Sequence, residues 1–406
     1  MSKTILMVAF EFPPSNGASV PRIESFYRYL KAWGWKVIVL TAKPHAYVNK
    51  DDTYKDNTDD LIFRTTAFDV QRQLSFKGKY LEIMATPDRW GLTWIPSAII
   101  KGRTLVKKYQ PDVIWSSSPI PSTHYIANKL ATKHQLPWVA DYRDPFHYMN
   151  GTAGKWLDKF HKRIDQTTLH NASHITFATS AVKDLYETKY KEVITEKSTV
   201  IENGYDEANF EKLKTVADKT TPFSDNKFSL YYSGVLYPNG RDPVPVLNAI
   251  STLKTLGHIS SNNFELVFQG AGNGDDFKAL ITELDIESMV TFINPVPFLS
   301  ALNNMINADA LLLIQDKRFN KQIPGKIYEY LRTNKPLLVK ADVQGETYKL
   351  ATQFQNVQVG NTSDEIQSSI LTLLQKDNAI TERNLDNYNR EGKAQILQSI
   401  LIDQIT

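Results

Sequence analysis

Short apolar runs alternate with longer amphipathic segments along most of the chain, and this alternation restricts the fold more than any other feature. In the first half, the apolar runs predict strands at residues 4–9, 36–41, 113–116, 138–141, 174–177 and 198–201. Segments with helical spacing lie between them, for example at residues 19–33, 122–134 and 155–170. Strands that alternate with helices form parallel sheets from βαβ units. The first half therefore predicts a doubly wound α/β domain.

The same alternation starts again after a polar segment at residues 212–227. It predicts strands at residues 228–233, 264–269, 290–292, 310–314, 337–340 and 357–359, and helices at 245–256, 274–284, 296–306, 324–331 and 362–375. A chain of 406 residues is too long for one ordinary core. We predict an N-terminal Rossmann-like domain at residues 1–211, a linker at 212–227, a C-terminal Rossmann-like domain at 228–380 and a final helix at 381–406. One apolar stripe in that helix is expected to pack back towards the N-terminal domain; it comprises Ile396, Leu397, Ile400, Leu401 and Ile405.

Composition narrows the class of protein. A hydrophobic content of 42% is typical of soluble globular proteins, and a net charge of +3 is too small to indicate nucleic-acid binding. The chain has no cysteine, so disulfides and thiolate sites are excluded. No signal-like N-terminal segment and no apolar run of membrane-spanning length is present, so we expect a cytoplasmic protein.

The unit at residues 311–341 carries the strongest indication of a ligand site. A buried strand leads through a polar loop to Pro324, Gly325 and Lys326, where a helix is predicted to begin. A helix start beside a lysine suits a phosphate, and Glu329, one turn further on, suits ribose hydroxyls. The alternative is an ordinary helix start with a surface ion pair.

Glycine-bearing loops follow three other predicted strands. Asn16 and Gly17 follow the first strand and can adopt positive φ, which would allow the backbone to approach a ligand. In the second domain, Gly234 ends the first strand, and Arg241 in the same loop is suited to hold a diphosphate. The next strand ends in a run that contains Gly270 and Gly272. Each of these loops is also compatible with an ordinary βα connection.

Two further motifs of the first domain carry charged or titratable side chains. His124 falls in the first turn of a helix, where a neutral hydrogen-bonding role or a purely structural contact is expected. Asp141 and Asp144 flank Arg143 at the end of an apolar strand, where doubly wound sheets place their chemistry. At least one of the two carboxylates is expected to be functional; the alternative is a structural arginine–aspartate clamp.

The sequence gives little indication of a metal site or of a covalent nucleophile. His170 and His174 have no third ligand nearby, and no Asp-x-Asp pair, Walker sequence or G-x-S-x-G elbow occurs. We expect neither a metal nor a cofactor.

Taken together, these motifs resemble glycosyltransferase family 4, whose members are retaining nucleotide-sugar enzymes of GT-B fold. The resemblance extends from Ile5 to about Leu401. Its most specific parts are Asn203-Gly204-Tyr205-Asp206 with Phe210, Gly270-Ala271-Gly272, and Pro324-Gly325-Lys326-Ile327-Tyr328-Glu329-Tyr330-Leu331 with Lys335-Pro336. Ser118-Pro119 with Asp141-Tyr142-Arg143-Asp144-Pro145 resembles a bacterial subgroup that assembles capsule, exopolysaccharide and lipopolysaccharide.

The resemblance implies a function and a role for each matching position. The chain would move a sugar from a nucleotide-sugar to a glycan or lipid-linked glycan, in a cleft between two domains. Arg241 and Lys326 would hold the donor diphosphate, Glu329 would hold the ribose, and Asp144 would lie near the reacting sugar. The remaining candidates are Asn16, Gly17, Gly234, Gly270, Gly272, Pro324 and Gly325 for the donor, and His124, Asp141 and Arg143 for the acceptor.

The chain also departs from the family pattern. Lys321 stands where a glutamate is frequent, Val235 stands where an arginine is usual, and Asp-Arg-Asp at 141–144 replaces a frequent histidine. Two alternatives therefore stay open. A sugar-nucleotide epimerase uses two such domains as well, and a non-catalytic partner subunit would bind nucleotide without turning it over.

Residues 74–108 combine apolar and basic side chains. The apolar set is Phe76, Tyr80, Leu81, Ile83, Met84, Trp90, Leu92, Trp94, Ile95, Ile99 and Ile100, and the basic set is Lys77, Lys79, Lys101, Arg103, Lys107 and Lys108. Such a segment is able to dock on an anionic membrane surface. Packing of a helix against the domain core would explain most of the same residues.

Overall fold

The computed structural model describes residues 2–51, 54–146, 155–215, 220–236, 240–375 and 382–406. The chain forms two compact units. The first comprises Met1–Asn203 together with Arg390–Thr406, and the second comprises Gly204–Asn389. The structure divides the chain after Asn203, whereas the predicted first domain ended at residue 211. The helix Glu207–Lys214 consequently lies in the second unit. The predicted linker residues 216–219 and the predicted boundary at 380–381 lie outside the described residues.

A seven-stranded parallel sheet organises the first unit. Its strands are β1 (Thr4–Val8), β2 (Lys36–Ala42), β3 (Leu61–Thr65), β4 (Val113–Ser117), β5 (Trp138–Tyr142), β6 (His174–Phe177) and β7 (Ser198–Val200), in the order β3-β2-β1-β4-β5-β6-β7. The helices are α1 (Val20–Ala32), α2 (Val70–Gln73), α3 (Gly91–Tyr109), α4 (Pro121–His134), α5 (Lys155–Asn171) and α6 (Ser180–Ile194). Strand β3 was missed, because it is a half-buried edge strand that carries Arg64.

A six-stranded parallel sheet organises the second unit. Its strands are β8 (Phe228–Ser233), β9 (Phe264–Gln269), β10 (Val290–Ile293), β11 (Ala310–Ile314), β12 (Leu337–Lys340) and β13 (Val357–Gly360), in the order β10-β9-β8-β11-β12-β13. The helices are α7 (Glu207–Lys214), α8 (Val244–Thr255), α9 (Asp275–Glu283), α10 (Phe298–Asn307), α11 (Lys326–Arg332), α12 (Glu346–Ala351) and α13 (Ser363–Gln375). The prediction of two doubly wound, Rossmann-like domains is confirmed.

Both faces of each sheet are covered, which explains why the strands read as nearly unbroken apolar runs. In β1, Leu6 and Val8 enter one core, whereas Ile5 and Met7 enter another. The second sheet is divided in the same way, with Leu312 and Leu311 in separate cores. Strand order reverses between β1 and β4 in one sheet and between β8 and β11 in the other. Doubly wound sheets bind ligands beyond the carboxyl ends of strands at such points.

The last helix, α14 (Arg390–Asp403), belongs to the first unit and packs against α1. Its Leu397 and Leu401 are fully buried in the same core as Ile23 and Phe26 of α1. Of the apolar stripe identified in the sequence, Leu397, Ile400 and Leu401 are buried against the first unit, whereas Ile396 is exposed. No helix within the described ranges has the length and apolar character needed to cross a bilayer.

Candidate functional site

Lys326, the first residue of α11, folds back over the carboxyl end of β8. Its Nζ donates a hydrogen bond of 2.7 Å to the carbonyl oxygen of Ser233, the last residue of that strand. The same atom lies 3.9 Å from the centre of the Tyr232 ring. Strands β8 and β11 are neighbours in the sheet, and α11 follows β11. The fold thus places this lysine at the point where the strand order reverses.

A second cation lies near Lys326. The Nη1 of Arg241 donates a hydrogen bond of 3.1 Å to the carbonyl oxygen of Val235. Burial lowers the pKa of the Lys326 ammonium well below its usual range, and the positive charge of Arg241 lowers it further. Residues 237–239 of this loop lie outside the described residues. The guanidinium of Arg241 consequently lies beside position 235, where the family pattern has an arginine and this chain has valine.

The glycine that follows β8 permits this arrangement. Gly234 has φ of +120°, a conformation that side-chain-bearing residues rarely adopt. A Cβ added there would lie 3.2 Å from the Nζ of Lys326. The amide of Gly234 also donates to the carbonyl oxygen of Gln269, 2.8 Å away, and so links the loops after β8 and β9. Gly270 and Gly272, in the second of these loops, have φ of +70° and +89°.

The predicted residues around the start of α11 are brought together with Lys326. The carbonyl oxygens of Pro324 and Gly325 accept hydrogen bonds from the amides of Ile327 and Tyr328, which forms the first turn. A Cβ added at Gly325 would have no heavy atom within 4 Å. Glu329 follows one turn after Lys326 and is 5% exposed. Because α11 has only seven residues, its dipole is a smaller contribution than the two side-chain cations.

Several polar residues of this region were missed in the sequence. Gln269 ends β9, and its Oε1 accepts hydrogen bonds from Tyr231 and from Asn304, the latter at 2.9 Å. The hydroxyl of Tyr330 accepts a hydrogen bond of 2.9 Å from the amide of Ser233. Gln315 follows β11, is buried, and has an Oε1 without a partner among the described residues. A polar residue at the end of a buried apolar run was the signal that could have identified Gln269 and Gln315.

In the first unit, Asp141 is held by a residue that the sequence did not single out. Arg22 of α1 donates to the Asp141 carboxylate through Nε at 3.1 Å and through Nη2 at 2.7 Å. Ser117 and Thr176 donate two further hydrogen bonds to it. Burial by itself would raise the pKa of Asp141, but Arg22 and these hydrogen bonds outweigh burial and lower it. Asp141 is fully buried, so its geometry is that of a structural anchor, with Arg22 in place of the expected Arg143.

Asp144 is the more accessible of the two predicted carboxylates. It accepts hydrogen bonds from Nε and Nη2 of Arg143, at 3.0 and 2.7 Å, and its side chain is 22% exposed. Burial would lower the pKa of Arg143, but Asp144 first and then Glu11 and Asp141 outweigh burial and raise it. Glu11, which follows β1, is thus a neighbouring charge that the sequence left aside.

The loop after β1 brings its glycine close to a carboxylate. Neither Asn16 nor Gly17 has a positive φ, although the sequence allowed it. The carboxylate of Glu11 lies so close that a Cβ added at Gly17 would be 2.1 Å from its Oε1. Ser19 donates a hydrogen bond to this carboxylate. Asn16 is exposed and its amide donates to the carbonyl oxygen of Asn49, so the loop lies at the same sheet edge as Glu11.

His124 is fully buried among aromatic rings. Its Nδ1 is 2.9 Å from the hydroxyl of Ser116, and its ring centre lies 4.7 Å from that of Tyr142. Burial lowers the pKa of His124 to about 3, although the nearby Asp141 charge opposes the shift. The side chain is therefore neutral at physiological pH, and its environment fits the structural contact that the sequence allowed.

This depressed pKa predicts a stability that depends on acidity. The unfolded chain binds a proton at His124 below pH 6.5, whereas the folded protein does so only near pH 3. The contribution of neutral His124 to the unfolding free energy is thus complete above pH 6.5. It is lost progressively on acidification, and the loss reaches up to about 5 kcal/mol near pH 3. We expect His124→Gln to flatten the pH dependence of the unfolding free energy between pH 6.5 and 4, measured by urea titration. The exposed control His170→Gln should leave the slope unchanged, and an unchanged slope in His124→Gln would contradict the assignment.

Among the described ranges, no group of three or more His, Asp or Glu residues is arranged to hold a metal ion. Among the candidate residues, the fold instead brings together Lys326 and Arg241 in the second unit, and the pairs Arg22–Asp141 and Arg143–Asp144 in the first.

Comparison with known proteins agrees with the family resemblance. Residues 20–209 match the family model described as Glycosyltransferase Family 4. No curated protein sequence matches the chain significantly. Among solved structures, Anabaena Alr3699/HepE in complex with UDP-glucose is 14% identical, with a TM-score of 0.63 over 98% of this chain and 99% of that one.

Two other solved structures are similar over nearly the whole chain. Sucrose-phosphate synthase from Thermosynechococcus elongatus has a TM-score of 0.61 at 13% identity, covering 99% of this chain and 97% of that one. UDP-GlcNAc 2-epimerase from Methanocaldococcus jannaschii has a TM-score of 0.59 at 11% identity, covering 99% of this chain and 100% of that one. Residues 20–209 therefore match the model of Glycosyltransferase Family 4, and the fold of the chain is that of the GT-B glycosyltransferases.

Proposed function

We propose that the protein is a retaining glycosyltransferase that moves a sugar from a nucleotide-sugar donor to a glycan or lipid-linked glycan acceptor. The acceptor and the role in bacterial surface-polysaccharide synthesis follow from the resemblance of Ser118-Pro119 and Asp141–Pro145 to that subgroup. We assign the donor to the second unit and the acceptor to the carboxyl edge of the first sheet. UDP is the nucleotide that we favour, because HepE was solved with UDP-glucose.

The observation that carries this proposal is the pair of cations beside β8. Lys326 and Arg241 are held by the carbonyl oxygens of the two residues that flank Gly234, Ser233 at 2.7 Å and Val235 at 3.1 Å. Burial lowers the pKa of Lys326, and repulsion by the positive charge of Arg241 lowers it further. A diphosphate would relieve this repulsion, and the electrostatic stabilisation would grow as the sugar–phosphate bond breaks and negative charge develops.

Transfer with retention of configuration by same-face attack requires no nucleophilic side chain of the protein. In same-face attack, the leaving phosphate oxygen accepts the proton of the acceptor hydroxyl while the new glycosidic bond forms. Lys326 and Arg241 stabilise that phosphate, Glu329 binds the ribose, and Asp144, oriented by Arg143, contacts the reacting sugar. The departure at Val235 is then compensated, because Arg241 brings a guanidinium to the same position from later in the loop.

A sugar-nucleotide epimerase is the second candidate, motivated by the similarity to the Methanocaldococcus epimerase. A non-catalytic partner subunit is the third, motivated by Lys321 and Val235. Epimerisation rearranges the sugar without an acceptor, whereas transfer requires one, and a non-catalytic subunit binds nucleotide without any turnover.

Product analysis separates the three functions. The protein is first screened by thermal shift with UDP-, GDP- and ADP-sugars, and the stabilising donors are incubated with and without lipid-linked glycan acceptors. We expect free nucleoside diphosphate and glycosylated acceptor to appear together, and only when acceptor is present. An epimerised sugar nucleotide formed without acceptor would establish the epimerase instead. Stabilisation by nucleotide without any product, across a broad acceptor panel, would favour the partner subunit.

A further inference from the structure

An apolar and basic surface of the first unit is not used by the proposed reaction. Seven of the sixteen large apolar side chains that are exposed in the described residues fall within residues 68–100: Phe68, Leu74, Phe76, Leu81, Ile83, Leu92 and Ile100. Core packing accounts for Trp94, which is fully buried, and for the half-buried Trp90, Ile95 and Ile99. It does not account for the exposed seven, so the packing alternative explains only part of this segment.

Helix α3 carries two of these side chains, Leu92 and Ile100, on one exposed stripe. Leu92, Pro96 and Ile100 are exposed at successive turns, and Arg103 and Lys107 continue the same line. The opposite side of the helix is fixed to the core, where a Cβ added at Gly102 would lie 2.6 Å from Leu130. The stripe is therefore apolar over its first ~12 Å and basic over its last turns.

The basic end of the stripe contains a shallow pocket. Its volume is about 330 Å³, and it is lined by Arg103, Thr104, Lys107 and Lys108. Within the described residues, none of these three cations forms a salt bridge. Burial lowers the pKa of His134, and the positive charges of Lys133, Lys107 and Arg103 lower it further. Lys133 is therefore a further cation close to the pocket. The pocket is thus a concentration of positive charge without a carboxylate to balance it.

Neighbouring segments extend the apolar end. The turn Glu82–Ala85, which contains the exposed Ile83, packs against α3. Trp156 and Phe160 of α5 are exposed, with ring centres 5.4 Å apart, and His161 next to them is 2.7 Å from the carbonyl oxygen of Pro87. Glu82 is an exposed carboxylate within this surface.

The charge of the segment is the strongest indication of the partner. Residues 74–108 contain seven lysines and arginines and two acidic residues, a net charge of +5, whereas the whole chain carries +3. The remainder of the chain is therefore net negative, and the positive charge is concentrated beside exposed apolar side chains. Apolar groups that enter the acyl boundary, with cations at the level of the head groups, are the features of an interfacial membrane contact.

We infer that this surface, formed by residues 74–108, docks on an anionic lipid bilayer. The pocket at Arg103, Lys107 and Lys108 receives lipid phosphate groups, and Phe76, Leu81, Ile83, Leu92 and Ile100 enter the interface. This inference goes beyond the proposed function, because it concerns where the protein works and does not depend on which reaction it performs.

Co-sedimentation with vesicles tests the inference on the full chain. We expect binding to phosphatidylglycerol–phosphatidylcholine vesicles and little binding to phosphatidylcholine alone, with affinity falling as salt rises. Removing three charges with Arg103→Gln, Lys107→Gln and Lys108→Gln should weaken binding on the order of 100-fold. The apolar triple Phe76→Ser, Leu81→Ser and Ile100→Ser should weaken it by more than about tenfold.

A matched control removes three charges from the second unit, with Lys212→Gln, Lys214→Gln and Lys278→Gln. It should bind vesicles like the wild type, and thermal melting should give all variants similar midpoints because every substituted side chain is solvent-accessible.

Absence of vesicle binding by the wild type would overturn the inference. Binding that free glycerol phosphate abolishes and the apolar triple leaves intact would also overturn it, since the pocket would then recognise a soluble anion. Light scattering that finds a dimer dissociated by the apolar triple would assign the surface to a second copy of the chain and contradict the inference.

Discussion

Replacing Lys326 with methionine is expected to lower the rate of glycosyl transfer by about 10²- to 10³-fold, the loss typical of removing one fixed donor from a developing oxyanion. The reason is its position: its Nζ lies 2.7 Å from the Ser233 carbonyl and beside the charge of Arg241. Methionine keeps an apolar stem beside Tyr232 and removes the charge together with the hydrogen bond to the Ser233 carbonyl oxygen. The measurement is kcat/KM for the donor, with urea titration to establish that the variant is folded.

Matched variants separate the role of Lys326 from a general loss of charge. Lys317→Met removes an exposed lysine of the same unit and should retain wild-type turnover. Glu329→Gln should raise KM for the nucleotide-sugar, because it weakens the bond to ribose hydroxyls. Wild-type turnover in a folded Lys326→Met variant would show that the donor phosphate does not bind here.

The acidity of Lys326 gives this prediction a pH dependence. Burial and Arg241 lower the pKa of the free lysine, and a bound diphosphate would raise it again. Between these two pKa values, binding takes up a proton, so donor affinity should fall as pH rises through that window. Calorimetry in two buffers of different ionisation enthalpy measures the uptake, which should be absent in Lys326→Met.

The second large effect concerns stability. Arg22→Ala leaves the Asp141 carboxylate buried without its cation, and we expect the unfolding free energy to fall by about 3–5 kcal/mol. Arg22 also donates to the carbonyl oxygen of Glu202 at 3.0 Å and to the side chain of Asn203 at 3.3 Å. The substitution thus loosens β5 together with residues 202–203. Urea or guanidinium denaturation measures the effect.

Two comparisons determine whether the buried charge is the cause. The double variant Arg22→Met, Asp141→Asn removes both charges and should recover part of the stability lost in Arg22→Ala. Lys214→Ala breaks an exposed ion pair with Glu211 and should cost less than about 1 kcal/mol. If Arg22→Ala were as mild as Lys214→Ala, the role assigned to this pair would be refuted.

The strands of the second unit could be predicted closely because burial on both faces leaves a simple pattern. Phe228–Ser233, Phe264–Gln269, Ala310–Ile314 and Leu337–Lys340 end where the sequence placed them. Strand β3 lies at the edge of its sheet, is only half-buried, and contains a charged residue, so it has no comparable run.

Candidate site residues could be chosen from the sequence, but the partners of most of their side chains could not. The ends of parallel strands are visible in the sequence, and Gly234 and Asp144 were chosen by that rule, whereas Lys326 was chosen because it stands at a predicted helix start. The partner of Asp141 is Arg22, 119 residues away, and nothing local distinguishes it from the adjacent Arg143. The contact of Arg241 with Val235 likewise depends on how the loop folds back.

Glu11 illustrates a different limit. Its importance follows from the closeness of its carboxylate to Gly17 and from its contribution to the raised pKa of Arg143, and both depend on how side chains pack. The sequence explained Gly17 by backbone freedom, whereas in the structure Gly17 has no positive φ and the carboxylate of Glu11 lies where a Cβ would be. A glycine in a βα loop therefore indicates a close approach without revealing which group approaches.

The central claim is that the second unit binds the diphosphate of a nucleotide through Lys326 and Arg241. Isothermal titration of UDP, GDP and ADP into the wild type and into Lys326→Met tests it most directly. We predict that at least one nucleotide binds the wild type and that its affinity falls by at least about tenfold in Lys326→Met, the scale of one charge-assisted hydrogen bond. Equal affinity in the two folded proteins, for every nucleotide that binds, would contradict the claim.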